Sequence, residues 1–452
     1  NTKALNIKAV ILRKLGKVNE AEQIASSVLA ADPLDFLARN ELYLAQKASG
    51  LTDGAKQVLA DLERKMGGRV ESYLELATDY GNCALWDEAI EVLSRPVEKK
   101  MEFAGTYPMV HYHLGYYQQQ KGDTAEASKS FQQAAKMPAA YCFPFRVESI
   151  DVLNAAISHN AADARAHYYL GNLLYDMQPE EATKLWEQSR RIDDSFATVH
   201  RNLGWAYYRS EKDVPKAVAS YEKAVVCDAK DPRLYVELDG LYETGNVPPE
   251  RRLALLEKNH EAVAKRNDSF LREIMVLVLV GRYDQAIDFL ANNRFHVREG
   301  GGEIHDVYAD AHLLRGMSYL KNGKHEEALA DFHAASEYPE NLSVGRPEND
   351  SRAPQVAYHV ATACEALGDA SKAKEFYTKS AGQKGGRSEV RFYQGLSYLK
   401  LGQKDRADEI FDELIETGRQ RLSEKPTEDF FAKFGEGQTP QARQASAHYM
   451  LA

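Results

Sequence analysis

Small residues recur along this chain at a fixed separation, set within apolar patterns of helical period. Ala9 and Ala21, Ala77 and Ala89, Gly115 and Ala127, Gly316 and Ala328, Ala361 and Ala373, and Gly395 and Ala407 each stand twelve residues apart. Leu12, Tyr80, Tyr319 and Tyr398 lie three after the first member of their pairs, and Phe131, Phe332, Tyr377 and Phe411 four after the second. Apolar positions that repeat with a helical period predict amphipathic helices. Two helices cross closely only where the side chains between them are small. Each pair therefore predicts a helical hairpin that crosses at its two small residues.

Hairpins repeating at about 34 residues are the pattern of the tetratricopeptide repeat, and Pro33 closes the first of them where a terminating proline belongs. The prediction is an all-α chain, a right-handed tetratricopeptide α-solenoid of about eleven helix–turn–helix units with long inter-repeat loops and no sheet. Residues 1–136 hold units one to four, the first pairing Leu5–Leu15 with Asn19–Ala31 and the second degenerate, with Tyr43 where a small residue is wanted. Residues 137–163 form an interrupting loop, MPAAYCFPFR, and an added helix over Val147–Ser158. Units five to eight fill 164–291, a Gly-rich loop 292–308, units nine to eleven 309–416, and a linker with a truncated final helix 417–452. The turn of unit five is one residue short (Gly171 with Ala182), that of unit six one long (Gly204 with Ala217), and unit seven carries Asp239 at its small position.

In such an array the first helix of each unit lines the concave side. Counting the small residue as position eight, positions two, five, nine, twelve and thirteen face the groove. Unit four then offers Tyr112, Tyr116, Gln119 and Gln120; unit five Arg165, Tyr168, Asn172, Tyr175 and Asp176; unit six Arg201, Trp205, Tyr208 and Arg209. With units stacked in register these rows share one aromatic patch. Rings beside amides and guanidinium groups suit an extended peptide or a sugar. The competing reading packs the rings within the array. Units eight to eleven place Leu271, Met275, Val278, Leu279, Leu313, Met317, Leu320, Phe392 and Leu396 at the same positions, an aliphatic surface that calls for cover by loops, a further domain or a second chain.

Local chemistry is sparse. No HExxH, CxxC, GxxxxGK[ST], GxSxG or GxGxxG motif occurs, so no catalytic residue, metal site or cofactor is predicted, and an enzyme is the less favoured reading. His111, His167, His200 and His312 each stand four residues before a glycine of the repeat, a recurrence that points to packing. Cys83, Cys142, Cys227 and Cys364 are far apart and read as packed thiols. The loop Asn293–Gly302 ends in three glycines after Arg294, His296, Arg298 and Glu299. It is read either as a polar site of Arg294, His296 and Glu299 or, preferably, as a plug that packs Phe295.

A formal charge of −10 argues against nucleic acid, whose phosphates need a basic face. No apolar run approaches the length of a membrane span, Ile274–Val280 being the nearest candidate. Widely spaced cysteines suit the cytoplasm, and a removed signal peptide would place the chain in the periplasm. It begins without Met and ends within a helical pattern, so it reads as a fragment.

Several interruptions taken together resemble one bacterial tetratricopeptide family: AAYCFPFRVESIDVLNAAI (139–157), YYLGNLLYD (168–176), TVHRNLGWAYY (198–208), RFHVREGGGE (294–303) and YPENLSVGRP (338–347). In that family the array follows an N-terminal mutarotase-like β-sandwich, and a carbohydrate-associated context is implied. The resemblance marks Phe143, Arg146, His200, Arg201, Asn202, Arg294, His296, Glu299, Asn341 and Arg346 as site or loop-locking residues. Val297 and Arg298 stand where the family has Pro-Trp, which puts a sugar-stacking role for that loop in doubt. The expected function is a non-catalytic scaffold that binds a protein, a peptide or its own N-terminal domain through the aromatic groove. The alternative is an accessory part of a carbohydrate-active protein, completing a sugar site on the β-sandwich.

Overall fold

The structure, a computed structural model, describes residues 1–296, 303–383, 389–423 and 440–452. Helix makes up 76% of the described residues, and no strand occurs among them. The β-sandwich implied by the resemblance thus has no counterpart here. The chain divides into two compact units, residues 1–228 and 229–452, each a stack of helical hairpins.

The first unit pairs α1 (Thr2–Lys14) with α2 (Val18–Ala31), α3 (Phe36–Ala48) with α4 (Thr52–Met66), and α5 (Val70–Gly81) with α6 (Trp86–Glu98). After a short α7 (Glu102–Thr106) come α8 (Met109–Lys121) with α9 (Thr124–Lys136), then the added α10 (Glu148–His159). Two further hairpins, α11 (Ala164–Leu174) with α12 (Pro179–Ile192) and α13 (Ala197–Arg209) with α14 (Val214–Cys227), complete it. The second unit holds α15 (Pro232–Thr244), α16 (Pro249–Lys258) and α17 (His260–Val263). Next are α18 (Asn267–Leu279) with α19 (Tyr283–Asn292), α20 (Glu303–Lys321) with α21 (His325–Ala334), and α22 (Ala353–Ala366) with α23 (Ala370–Gly382). Last are α24 (Arg391–Lys400) with α25 (Lys404–Ser423), and α26 (Pro440–Leu451).

The crossings follow from side-chain size. In α8 a Cβ on Gly115 would stand 2.6 Å from the ring of Phe131, and in α13 a Cβ on Gly204 would stand 2.4 Å from that of Tyr221. The aromatic four residues after the second small residue thus lies flat on the bare backbone of the first helix. Helix starts are set by capping carboxylates: Asp35, Asp123, Asp163, Asp213 and Asp369 each accept from a backbone N–H in the first turn that follows. The recurrent histidines lock the entry to each hairpin. Nε2 of His111, His167 and His200 meets the carbonyls of Ala104, Ala161 and Asp194 at 2.8, 3.1 and 2.9 Å. A carbonyl only accepts, so in all three the proton is on Nε2. Tyr235 does the same work in unit seven, donating to Ala229 O at 2.8 Å. His312 departs from the pattern and bonds the Asp331 carboxylate instead.

Some boundaries depart from those expected. α20 begins at Glu303, inside the expected Gly-rich loop, because the apolar period of Ile304, Val307 and Ala311 already runs there. α25 continues to Ser423, taking up the start of the expected linker. The second helix of unit seven breaks at Asn259, whose side chain turns back to Leu255 O. At Asp239 the buried carboxylate takes a bidentate pair from Arg252 (2.8 Å twice) and a third bond from Arg272 (2.6 Å). A charged staple thus replaces the small-residue crossing.

Candidate functional site

Of the groove positions of units four to six, two are sealed. Tyr112 is 0% and Tyr168 4% exposed. The insertion explains the first. α10 packs against both α8 and α11, so the row of unit four does not lie beside that of unit five. Tyr112 instead reaches Asp163, the cap of α11, at 3.0 and 3.1 Å, and meets Tyr169 edge-on at 6.1 Å. Burial first, and the Asp163 carboxylate next, hold its hydroxyl well above the ordinary tyrosine value. Tyr116 stays half-buried near Trp86 (6.3 Å) and Tyr117 (5.8 Å), within reach of the Asp151 charge. Gln119 and Gln120 are exposed.

Tyr168 packs edge-on against Phe196 at 4.8 Å. Asn172 is engaged in the same layer. Its Oδ1 accepts from Trp186 Nε1 at 3.0 Å and from Asn202 Nδ2 at 2.8 Å. A side-chain bond from Asn172 also eases the burial that raises the Tyr168 hydroxyl. With its Oδ1 taken by donors from two helices, Asn172 fixes α11 against α12 and α13. Residue type alone could not separate these roles. Asn202, which the resemblance marked, stands on α13 thirty residues on, at a register that meets Asn172.

What remains on the face formed by α11 and α13 is smaller and more basic. Trp205 and Tyr208 are half-buried, with ring centroids 6.2 Å apart, and the Arg209 guanidinium lies 5.4 Å over the indole. Arg201, Trp205 and Arg209 stand at successive four-residue steps along one face of α13. Arg165 lies 3.7 Å over the Phe196 ring and 3.6 Å from Asp193, while its Nη1 is buried without a hydrogen-bond partner. Tyr175 leans on Trp186 at 5.0 Å, and Asp176 is exposed at the end of the row. Guanidinium groups held over rings are donors suited to carboxylates and backbone carbonyls.

The other marked residues separate into locks and surface. Phe295 is 1% exposed and stacks on Phe270 at 5.8 Å. Its N–H donates to Asn341 O at 2.8 Å, and its carbonyl accepts from Ser343 Oγ at 2.7 Å. Asn341 Nδ2 donates to the carbonyls of Leu290 and Asn293, at 2.7 Å each. This segment is therefore a plug. Arg294 and His296 are exposed on either side of Phe295, and Glu299 lies outside the described residues. Arg346 donates to Ser336 O at 2.7 Å and lies 4.8 Å over Tyr338. Phe143 is 66% exposed, and Arg146 pairs with Glu71 and Glu75. The aliphatic positions of the second unit divide: Val278 and Leu313 are buried, whereas Leu279, Met317 and Phe392 stay exposed. No helix of the described residues is long and apolar enough to cross a membrane.

The tetratricopeptide repeat family matches at residues 110–141, 310–341 and 389–417, so the chain carries tetratricopeptide repeats and folds as a tetratricopeptide α-solenoid. Similar solved structures include YrrB, described as a TPR protein with an unusual peptide-binding site, at 23% identity over 41% of this chain and 91% of that one (TM-score 0.32). PilF of Pseudomonas aeruginosa matches at 17% identity over 49% and 88% (0.27). The TPR domain of P58(IPK) matches at 14% over 89% and 99% (0.24). These similarities concern repeat architecture.

Proposed function

We propose that this chain is a non-catalytic scaffold and that the α11–α13 face of its first unit receives an extended segment of a partner protein. Tetratricopeptide repeats build protein-interaction scaffolds, and the face named here is the finer reading. One observation carries it: Trp205 stays half-exposed under the Arg209 guanidinium with Tyr208 beside it, while the neighbouring Tyr112 and Tyr168 are packed away. Tryptophan, tyrosine and arginine are the residues that dominate binding energy at protein interfaces. The basic edge set by Arg165, Arg201 and Arg209 favours a segment that carries carboxylates.

The test is a selection of displayed peptides on the full chain, followed by calorimetry. Trp205→Ala and Tyr208→Ala should each weaken the selected peptides by roughly tenfold or more, the scale of an interface hot spot. Unchanged affinity in both variants would refute the site. A glycan array that bound the full chain, with the signal lost in the same variants, would move the assignment to carbohydrate.

A further inference from the structure

The loop that interrupts the array after α9 carries a surface that neither the repeats nor the α11–α13 face uses. From Tyr141 to Val147 exposure alternates. Tyr141 is 89%, Phe143 66%, Phe145 63% and Val147 77% exposed, whereas Cys142 is 0% exposed and the Arg146 side chain 11%. Between the left-handed Tyr141 and the helical Val147, the alternation holds Cys142 and Arg146 inward and leaves the rings of Phe143 and Phe145 outward. The held face is well anchored. Burial pushes the Cys142 thiol up to about 12, against opposing bonds from Tyr169 and the backbone at Met109, and Arg146 reaches across to Glu71 and Glu75 of α5. The presented face gains no such packing. Tyr141 sits at φ 58°, a left-handed conformation that costs a residue with a side chain about 1–2 kcal/mol, yet its ring is left in solvent.

Size and charge indicate the occupant. At 150–250 Å² for each aromatic, the four side chains present on the order of 500 Å². That equals the largest apolar patch an ordinary monomer carries. It falls short of the roughly 800 Å² per partner that a stable protein pair buries, so a second copy of this chain is poorly matched and a peptide-sized segment well matched. The surroundings are acidic. Glu71, Glu75 and Glu148 gather about Arg146, with Asp79 within reach of Glu75 and Glu148, and the Glu75 side chain is 69% exposed. The protein packed round Asp79, and after it the carboxylates of Glu75, Asp35 and Glu148, hold the Asp79 carboxyl above its ordinary value, with Lys3 opposing. Arg146 already stacks on the Phe145 ring at 4.5 Å, which shows that a guanidinium fits that ring.

We infer that the strip Tyr141, Phe143, Phe145 and Val147, next to the carboxylates of Glu71, Glu75 and Glu148 that gather about Arg146, is a second docking surface, whose occupant is a short basic–aromatic segment of another protein. Its apolar residues cover the rings, and its lysines or arginines meet the carboxylates and the ring faces. This goes beyond the α11–α13 reading and does not depend on it.

The experiment titrates the full chain into a fluorescein-labelled peptide with two phenylalanines flanked by lysines, and into its counterpart with glutamate for lysine. The lysine peptide should bind, and more weakly as salt rises from 50 to 500 mM. The glutamate peptide should bind at least tenfold less. Phe143→Ser with Phe145→Ser should cost the lysine peptide tenfold or more. Glu75→Lys should cost threefold or more and narrow the gap between the peptides. Trp205→Ala should leave the titration within twofold, which separates failure here from failure of the first site. Circular dichroism confirms that the variants, at exposed positions apart from the half-buried Trp205, remain folded. Four results overturn the inference: no binding of the lysine peptide, equal binding of the two peptides, wild-type affinity in the double serine variant, or a dimer in sedimentation that this variant abolishes. Loss of binding to phosphatidylcholine vesicles in the same variant, with peptide binding intact, would reassign the strip to lipid.

Discussion

Histidine shows how one residue type takes opposite roles in this chain. His113 is fully enclosed between Tyr117 Oη at 3.2 Å and Ser149 Oγ at 3.3 Å, and burial, helped by the Arg146 charge, pushes it down to about 3. His359 lies against the Phe332 ring at 5.2 Å, and burial alone pushes it down to about 4. Both are neutral in the folded chain at pH 5, whereas an unfolded histidine titrates near 6.5. The folded value is depressed, so the unfolded state binds the extra protons. Stability is complete above about pH 6.5 and falls as pH drops towards 4. Each such histidine contributes a slope approaching 1.4 kcal/mol per pH unit in that window. Urea unfolding at pH 7 and pH 5 should show His359→Phe losing about 1.5 kcal/mol less than wild type over this interval. An unchanged difference would mean that His359 is already protonated in the folded chain.

Among the elements, the hairpins were legible because their cause is local. A glycine or alanine at the crossing and an aromatic above it are both written within one repeat, as with Gly115 and Phe131. The exceptions involve partners far apart in sequence. Asp239 was legible as a defect but not as the centre of a network, since Arg252 and Arg272 reach it from two other helices. With Asp239 1% and Arg252 5% exposed on the side chain, removal of one member leaves an uncompensated buried charge. Asp239→Ala should therefore cost about 3–5 kcal/mol. Adding Arg252→Leu should recover most of that, because an apolar pair can replace a buried ion pair at little cost. Denaturant melts of both variants decide this, and a single-variant loss under about 1 kcal/mol would show the staple to be dispensable. The same distinction applies to the candidate sites. Trp205, Tyr208 and Arg209 could be placed from register alone. Tyr112, Tyr168 and Asn172 could not, because their burial depends on α10, on Phe196 and on Asn202. The plug at Phe295 was legible as an apolar residue set in a polar loop; the Asn341 bracket that closes it lies 46 residues on.

At the scale of the molecule, a repeat array separates holding its shape from binding a partner. Crossings, caps and histidine locks use the positions that point between helices. In the first unit α10 packs against α8 and α11, Tyr112 is buried, and the α11–α13 face keeps ring and guanidinium side chains partly exposed. The chain has three tryptophans, of which Trp186 is 3% exposed, while Trp86 and Trp205 are half-buried. Fluorotryptophan labelling therefore gives one fluorine resonance on the proposed surface and one that reports packing. On saturation with a selected peptide, the resonance of Trp205, assigned by Trp205→Phe, should shift while that of Trp186 holds its position. A peptide that binds tightly and leaves the Trp205 resonance unmoved would contradict the account.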